Sequence, residues 1–430
     1  MEQAPVERAR QAAQAAQEHV DGERLRRAIA ELAAFGGRDD GGVSRQTLTP
    51  IDLEARRHLV ERARALGCEV RIDDAANLFF RRPGEQALPA VLTGSHADTQ
   101  PVGGKLDGAY GVLAGLELIA ALNDAQVRTV RPVDVVCWTN EEGSRFGPGC
   151  MGSSAFVDPA RLAGYRSAVD GEQVTFGAAL DRALGEMADV PRALMKQPLA
   201  GYVELHIEQG PVLERAGVAL GVVTGIQSVR WYAVKATGIA AHAGTTPMDV
   251  RADAMAACIE VAHALQAEAA SAAADGLRMT LGRWVVAPNS INTIPGEVEF
   301  TVDARCVDEQ VLARFDAALR RLVAGHAWRG RMELQPLFAR PPTRFPRAML
   351  DVVARACERA SSGARKPPPI ELTSGAFHDA MYLADHCPSA MIFVPSKGGL
   401  SHNAAEETAH EDLVLGARAL AHAVSWLACA

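Results

Sequence analysis

The sequence has 430 residues, 48% of them hydrophobic, and a formal net charge of −8 at pH 7. This length predicts about two to three domains, and the apolar fraction is sufficient for a large buried core. Acidic and basic residues are mixed along the chain without a basic block. That pattern argues against a nucleic-acid surface and favours a small-molecule substrate.

The N-terminal residues and the cysteines indicate the cellular compartment of the protein. The first twenty residues lack the apolar centre of a signal peptide, and no run of about 18 uncharged apolar residues predicts a membrane span. The eight cysteines are scattered without a CxxC pair, so we expect reduced thiols rather than disulfides or a zinc ribbon. The sequence therefore predicts a cytoplasmic protein that does not bind membranes.

The N-terminal part of the chain predicts helices followed by a pair of strands. Residues 1–20 are expected to form a polar, Ala-rich helical extension. Apolar spacing and helix-start signals predict two further helices, and β-branched and aromatic runs predict two strands. The predicted bounds are 23–35 and 50–66 for the helices, and 68–72 and 77–81 for the strands.

The first stretch with metal-binding character follows a short apolar run at 89–93, which predicts a buried strand. His96, Asp98 and Asp107 come after its carboxyl end, where ligands bind in open α/β sheets. Imidazole and carboxylate groups suit a zinc-like cation, and Asp98 could orient the His96 ring. For this stretch taken alone, the alternative is a polar surface loop.

A second buried strand, predicted at 133–138 after a helix at 108–122, leads directly to Glu141 and Glu142. Neighbouring side chains on extended backbone point in different directions. One glutamate can therefore bind a metal while the other faces the open coordination position as a base. A solvated acidic turn is the alternative, and it is weakened because the same pattern recurs elsewhere.

Two later strands end in the same way. The predicted strand 202–205 leads to His206, and the predicted strand 389–394 leads to His402. Four strands that each end at a histidine or an acidic residue favour one convergent site. Five ligands exceed the needs of one tetrahedral zinc, so the pattern predicts two divalent ions that share Asp107. The predicted ligands are His96, Asp107, Glu142, His206 and His402. Histidines without this context are interpreted as structural, namely His58, His263, His326, His386, His410 and His422.

Between the third and the fourth of these strands the periodicity changes. The order strand, helix, strand, strand, helix, strand predicts a ferredoxin-like (βαββαβ) unit inserted in an α/β domain. The predicted elements are 225–238, 251–274, 278–286, 298–305, 308–324 and 331–337. We therefore expect an α/β protein whose mixed-sheet hydrolase domain covers 1–225 and 340–430, with an inserted domain at 226–339.

The inserted unit carries its own polar groups. His242 lies in a glycine-containing loop, Asn289 and Asn292 offer amides, and Arg305 ends a predicted strand. A guanidinium group presents a rigid fork that suits a carboxylate, and an asparagine can donate beside it. The alternative for Arg305 is a structural salt bridge.

Several of these motifs resemble those of the M20-type metallohydrolases and, within them, the hydantoinase/carbamoylase amidases. The resemblance extends from about residue 20 to the end of the chain, and the motif that begins at His206 favours the amidase branch over ordinary aminopeptidases. The motifs are Gly94-Ser-His-Ala-Asp-Thr-Gln-Pro101, Gly104-Lys-Leu-Asp-Gly108, Asn140-Glu-Glu-Gly-Ser-Arg-Phe146, His206-Ile-Glu-Gln-Gly-Pro211, Ala241-His-Ala-Gly-Thr-Thr-Pro-Met248, Asn292-Thr-Ile-Pro295 and Ser401-His-Asn403.

The resemblance implies a homodimer in which the inserted domain serves as lid and dimerisation domain. It implies a dinuclear zinc or manganese site, with cobalt or nickel as alternatives, and Glu141 as general base. The substrate residues that it implies are Gln209, His242, Asn292 and Arg305. His242 would reach the active site of the neighbouring subunit and stabilise the oxyanion. One position departs from the family pattern, because Phe377 stands where members usually carry glycine, and we expect its ring at the pocket wall.

The predicted reaction is hydrolysis of the linear C–N amide of an N-carbamoyl-L-amino acid, which releases the L-amino acid, ammonia and carbon dioxide. Alternatives with the same chemistry are an allantoate amidohydrolase, a β-ureidopropionase or another N-acyl-amino-acid amidase. An alternative from a different class is a binding protein that keeps its metals for structure. Glu141 argues against this alternative, since a structural metal site does not need a base.

Overall fold

A computed structural model describes residues 3–364 and 366–430, and the chain divides into two compact units. The first unit runs to Gly225 and resumes at Arg344, and the second is Ile226–Thr343. Up to Gly225 the helices are α1 (Gln3–Glu18), α2 (Gly22–Ala33), α3 (Pro50–Ala65), α4 (Ala109–Asp124), α5 (Met151–Val157), α6 (Arg161–Tyr165), α7 (Phe176–Glu186) and α8 (Val212–Ala216). The strands of this part are β1 (Glu69–Ile72), β2 (Leu78–Arg82), β3 (Ala90–His96), β4 (Val133–Trp138), β5 (Leu199–Ile207) and β6 (Gly221–Ile226).

The rest of the chain contains the second unit and the return to the first. The second unit contains β7 (Ser228–Thr237), β8 (Ala241–His242), α9 (Ala254–Ser271), β9 (Arg278–Ala287), β10 (Thr293–Ile294), β11 (Glu297–Cys306), α10 (Glu309–Gly325) and β12 (Arg331–Arg340). After it come β13 (Thr343–Arg344), α11 (Arg347–Ser361), β14 (Ile370–Ser374), α12 (Ala380–Leu383), β15 (Ser389–Val394) and α13 (His410–Cys429). Short 3-10 turns cover Met248–Val250, Ala273–Asp275 and Lys397–Gly399.

The strands that were expected to lead to metal ligands are present. β4 and β15 have the predicted bounds, whereas β3 and β5 extend further than predicted. His96 and His206 therefore lie within their strands rather than beyond them. The extra length follows from burial, because every residue of β3 is buried and a buried polar residue can keep its backbone in the ladder.

Local sequence signals explain several helix starts in the first unit. α3 begins with Pro50 in its first turn, and the Thr49 hydroxyl accepts a hydrogen bond from the backbone N–H of Asp52. α2 begins after Asp21, whose carboxylate accepts from the backbone N–H groups of Glu23 and Arg24. These caps satisfy amide groups that have no partner within their own helix.

The sheet of the first unit has the order β1-β2-β4-β3-β5-β15-β6-β13, with β14 paired to β6. Its four central strands, β4, β3, β5 and β15, are parallel neighbours. In their register His96 lies opposite Trp138, and His206 lies opposite Phe393. The carboxyl ends of all four strands therefore meet at one edge of the sheet, where open α/β sheets bind ligands.

Helices α4 and α13 pack against this sheet, and α1 packs against α13. Among the described residues, α13 is the helix that is long and apolar enough to cross a membrane by length and composition, but 78% of its most apolar 18-residue stretch is buried inside the protein. It is therefore a core helix of this unit. All eight cysteines are buried with free thiols, as the sequence predicted.

The second unit has an antiparallel sheet of order β12-β7-β11-β9. Side chains alternate along β11, so that Val298, Phe300 and Val302 are buried in a core with α9 and α10. The other face of β11 is partly exposed and carries Asp303 and Arg305. A separate two-stranded ribbon pairs β8 with β10.

Candidate metal centre

The five predicted ligands lie together at the carboxyl edge of the four parallel strands. His96, Asp107 and His206 form one set of donor atoms within 4.8 Å of one another, and Asp107, Glu142 and His402 form a second. Asp107 belongs to both sets. The structure therefore brings together side chains from β3, from β5 and from three loops around one shared carboxylate.

Backbone contacts leave one nitrogen of each buried imidazole available. Nδ1 of His96 lies 2.9 Å from the backbone oxygen of Asp98, and Nδ1 of His206 lies 2.9 Å from the backbone oxygen of Ile207. A carbonyl oxygen can only accept, so each Nδ1 carries the hydrogen and each Nε2 presents a lone pair, which in His206 faces the backbone N–H of Gly108 at 3.2 Å. The Asp98 carboxylate, expected to orient His96, lies further away, with Oδ1 3.7 Å from Nδ1.

Gly108 makes room for the His96 ring. Its φ is +63°, a conformation that residues with a side chain rarely adopt, and a Cβ atom there would lie 2.3 Å from His96 Nε2. Any other residue at this position would therefore occupy the metal-facing side of the imidazole. This explains why a glycine directly follows the ligand Asp107.

Asp107 contacts histidines of both sets. Its Oδ1 lies 3.2 Å from His206 Nε2 and 3.9 Å from His96 Nε2, and its Oδ2 lies 3.2 Å from His402 Nε2. His402 Nε2 is also 3.3 Å from Glu142 Oε2. Imidazole nitrogens and carboxylate oxygens are ligands that Zn²⁺ and similar divalent ions accept. The donor set therefore fits divalent metal.

The electrostatics of these groups point to bound positive charge. Burial raises the pKa of Glu142 to about 8, and the Asp107 charge adds to this effect. Burial opposes charge on His206, but hydrogen bonding and attraction to Asp107 outweigh it and raise the pKa to about 9. The hydrogen bond with Asp107 likewise raises the pKa of His402 to about 9. A divalent cation can supply the charge that protons otherwise supply.

Glu141 lies beside the ligands with a different set of contacts. Its Oε2 is 3.4 Å from His96 Nε2, and its Oε1 accepts a hydrogen bond from the thiol of Cys150 at 3.5 Å. Burial raises the pKa of Glu141 well above its usual value, and the charges of Asp379 and Glu142 act in the same direction. The two adjacent glutamates thus have separate environments, as their positions after β4 suggested.

Gln209 is a predicted substrate residue that contacts the metal ligand Asp107 directly. It has a left-handed backbone with φ 57°, and its amide Nε2 donates to Asp107 Oδ2 at 3.0 Å. The same nitrogen lies 3.1 Å from Ser401 Oγ. Phe377 is half-buried and directly precedes the buried His378.

Several buried residues at this edge were not predicted from the sequence. His378 packs edge-on against His206 with ring centroids 4.5 Å apart, and Nε2 lies 2.9 Å from Ser374 Oγ. Glu204 accepts from the Ser95 hydroxyl and from a backbone N–H, and with His206 and His378 it forms a third set of donor atoms. Glu204 stands two residues before His206 in β5, and this spacing along a strand was a usable signal.

The predicted residues of the inserted unit lie in two separate places, His242 and Asn292 at the ribbon that precedes β11 and Arg305 near the far end of β11. His242 pairs with Thr293 in the β8–β10 ribbon, and the Asn292 carbonyl accepts from the backbone N–H of Ala243 at 3.0 Å. Both His242 and Asn292 are exposed. Arg305 lies in β11, where its guanidinium group donates to the Asp303 carboxylate at 2.8 to 3.1 Å.

Comparisons with known proteins agree with this geometry. The model of the peptidase family M20/M25/M40 matches residues 92–426. An N-carbamoyl-L-amino-acid amidohydrolase of Rhizobium meliloti is 38% identical over 94% of this chain and 96% of its own length. The allantoate amidohydrolase of Escherichia coli (strain K12) is 35% identical, over 92% and 97% respectively.

A solved structure gives the same result for the fold. The hydantoinase/carbamoylase family amidase of Burkholderia multivorans is 42% identical, with a TM-score of 0.82 over 96% of this chain and 98% of that chain. Members of the M20 family use divalent metals, in keeping with the donor sets around Asp107. The chain therefore belongs to peptidase family M20/M25/M40 and is a hydrolase that acts on amide bonds.

Proposed function

We propose that this enzyme hydrolyses the linear C–N amide bond of N-carbamoyl-L-amino acids to the L-amino acid, ammonia and carbon dioxide. The observation that carries the proposal is the buried carboxyl of Glu141, whose Oε2 lies 3.4 Å from Nε2 of the ligand His96. A metal site that serves only structure does not need such a group. The similarity to N-carbamoyl-L-amino-acid amidohydrolases supports the choice of substrate.

We propose that the centre holds two divalent ions, zinc or manganese, with cobalt or nickel as alternatives. The presence of Asp107 in both sets of donor atoms supports a shared carboxylate between the two ions. When bound, the ions would polarise the scissile carbonyl and make water a stronger acid. His96 and His206 would hold one ion, and Glu142 and His402 the other.

Glu141 moves the proton in this proposal. Its carboxylate accepts a proton from the attacking water and donates it to the leaving nitrogen, as general bases do in amide hydrolysis. The raised pKa caused by burial makes the carboxyl better able to hold that proton between the two steps. Cys150 and the environment after β4 keep the side chain directed at the His96 side of the centre.

We propose that Gln209, Phe377 and residues of the inserted unit bind the substrate. The Arg305 guanidinium, which pairs with Asp303, would exchange that partner for the substrate carboxylate. Asn292 lies with His242 at the other end of β11 from Arg305, so it would donate to the substrate alongside His242, which would stabilise the oxyanion that forms at the carbonyl. The exposure of His242 and Asn292 supports this role, since both side chains are accessible to a partner.

We propose that the inserted unit is a ferredoxin-like lid and dimerisation domain of a cytoplasmic homodimer. The βαββαβ order and the sheet order β12-β7-β11-β9 support the fold. The unit also exposes large apolar side chains, which are typical of an interface. They are Ile239, Met248, Val250, Ile259, Val285, Ile291, Val307 and Leu337. Mixing inactive Glu141→Gln subunits with inactive His242→Ala subunits should restore part of the activity if His242 serves the neighbouring subunit.

The test is hydrolysis of a substrate panel by Mn²⁺- or Zn²⁺-loaded enzyme, followed as ammonia release for the carbamoyl compounds and allantoate and as amino-acid release for the N-acetyl-L-amino acids. The panel contains N-carbamoyl-L-amino acids, their D-enantiomers, N-carbamoyl-β-alanine, allantoate and N-acetyl-L-amino acids. We expect the N-carbamoyl-L-amino acids to be turned over fastest, and a chelated sample to be inactive until metal is returned. Turnover of none of these compounds by metal-replete enzyme would contradict the proposal.

An allantoate amidohydrolase is the second candidate, favoured by the similarity to enzymes of that name from Escherichia coli and Bacillus subtilis. The chemistry at the scissile bond is the same, so the metal centre does not distinguish the two. A preference for allantoate over every N-carbamoyl-L-amino acid in the same panel would establish this alternative.

A further inference from the structure

Glu406 connects two loops that carry metal ligands but lie about 300 residues apart in the chain. One carboxylate oxygen, Oε1, accepts hydrogen bonds from the backbone N–H groups of Leu106 at 2.9 Å and Asp107 at 3.1 Å. The other, Oε2, accepts from the hydroxyl of Ser401 at 2.9 Å. Because Ser401 directly precedes His402, one side chain joins the backbone of the Asp107 loop to that of the His402 loop.

Ser401 extends this connection to the Asp107 carboxylate. Its Oγ lies 3.2 Å from Asp107 Oδ2 and 3.1 Å from Gln209 Nε2. A hydroxyl has one hydrogen, so it can donate to only one of the two carboxylates at a time. The contact with Glu406 is the shorter of the two, so Ser401 donates to Glu406 and accepts from Gln209, whose second amide hydrogen is donated to Asp107 Oδ2. The network therefore orients the carboxylate that both sets of donor atoms share.

The protein fits tightly around Glu406. The side chain is buried, and a Cβ atom on Gly104 would lie 2.0 Å from Glu406 Oε1 and 2.5 Å from Glu406 Cβ. The glycine in the Asp107 loop thus provides the space that the carboxylate occupies. Burying a charged group is unfavourable unless it is hydrogen-bonded, and each oxygen of Glu406 has a donor.

We propose that Glu406 is a positioning residue that holds Asp107 and His402 at the separation required by a shared divalent ion. The proposal rests on the dinuclear centre proposed above. Glu406 acts through Leu106, Asp107 and Ser401, and its own oxygens are occupied by their hydrogens. Such supporting partners typically change metal affinity by roughly 10–100-fold when they are removed.

The test compares Mn²⁺ binding by calorimetry to chelator-stripped wild-type protein and to four variants. Glu406→Ala should weaken at least one Mn²⁺ site by roughly 10–100-fold. Glu406→Gln should weaken it less, because the amide oxygen can still accept from Leu106 and Asp107, and Ser401→Ala should fall between these two and wild type. Glu407→Gln is the matched control, because Glu407 is exposed and pairs with Lys397. It should bind Mn²⁺ as wild type does.

Circular dichroism shows whether each variant is folded. Mn²⁺ affinities are compared only among the folded variants. Wild-type Mn²⁺ affinity in folded Glu406→Ala would overturn the role of Glu406. If this variant does not fold, wild-type affinity in both Glu406→Gln and Ser401→Ala would overturn it. Failure of wild-type protein itself to bind divalent metal would overturn the dinuclear centre and the Glu406 role together, so the two failures are distinguishable.

Discussion

The metal edge of the first unit and the polar surface of the inserted unit hold their functional groups in opposite ways. His96, His206 and Asp107 are at most 3% exposed, and each contacts other groups of its own unit, although the fifth ligand His402 is itself exposed. His242 and Asn292 are exposed, on a short two-stranded ribbon. The first region is preorganised for an ion by the fold of one unit, whereas the groups of the second are accessible on its surface.

This difference suggests a division of labour. Chemistry at a metal requires ligands held to within a fraction of an ångström, which packed strands and buried hydrogen bonds provide. Substrate selection requires groups that can engage and release a small molecule, which an accessible surface allows. Substitutions in the first region should therefore change turnover, and substitutions in the second should change substrate binding.

The largest effect is expected at the buried edge. Glu141→Gln should lower kcat by at least about a hundredfold while the fold and the metal content stay intact, because an amide cannot accept the proton. Metal analysis and steady-state kinetics on the same preparation measure both quantities. Near-wild-type turnover in a metal-replete variant would remove Glu141 as the base and would place the chemistry elsewhere.

A smaller effect of a different kind is expected in the inserted unit. Arg305→Ala should raise KM for carboxylate substrates by roughly 10–100-fold with less change in kcat, since a hydrogen bond to a charged group contributes about 1.5–3 kcal/mol. Arg283→Ala is the control, because Arg283 lies in β9 of the same unit and pairs with Glu299 at the surface. A loss confined to kcat would contradict the division between the two regions.

Phe377 tests whether a side chain close to the metal edge contributes to substrate selection. Phe377→Gly should shift relative kcat/KM among substrates with small and bulky side chains by about 1–3 kcal/mol, the usual range for a change in a pocket wall. Competition between paired substrates in one reaction gives this ratio directly. An unchanged ranking would show that the ring lies outside the pocket.

The smallest effect concerns a buried histidine away from the metal edge. Burial, together with the charges of Arg359 and Arg355, lowers the pKa of His422 to about 4. Between pH 6.5 and about 4 the unfolded chain therefore binds a proton that the folded chain excludes, and the free energy of unfolding falls as the pH falls. His422→Gln removes this contribution and can keep the contact with Gln17.

Chemical denaturation of chelated protein at several pH values measures the effect. The difference in free energy of unfolding between wild type and His422→Gln should change between pH 6.5 and 4 and stay constant above pH 7. A constant difference over the whole range would show that His422 is protonated as easily in the folded state as in the unfolded one. His422 therefore reports how burial alone changes the pH dependence of the free energy of unfolding, separately from metal binding.

Much of the metal edge was predictable because its signals are local. His96, His206 and Glu142 lie at the end of a strand or within four residues of it, and an apolar run followed by a polar residue is visible in a short stretch of sequence. Asp107 and His402 follow their strands by eleven and eight residues. The ends of β3 and β5 were placed too early because His96 and His206 are polar, although both are buried in the ladder.

The supporting residues depend on contacts between distant parts of the chain. Glu406 follows a predicted ligand by four residues, but its hydrogen bonds go to Leu106 and Asp107. Cys150 reaches Glu141 only after the chain turns back on itself. Sequence patterns do not report such pairings, and they also missed α5 to α7, of which α5 and α6 are only seven and five residues long.

The placement of β15 beside β5 affects how the protein matures in the cell. Translation proceeds at about 5–20 residues per second, so His402 leaves the ribosome roughly 15–60 s after His96. β15 begins 182 residues after the end of β5, so for roughly 9–36 s β5 lacks the neighbour that covers its open side, and an unpaired strand edge is prone to aggregation. Until then the nascent chain has a metal site without His402 and a β5 edge without its partner strand. Both are completed only when the last hundred residues are synthesised.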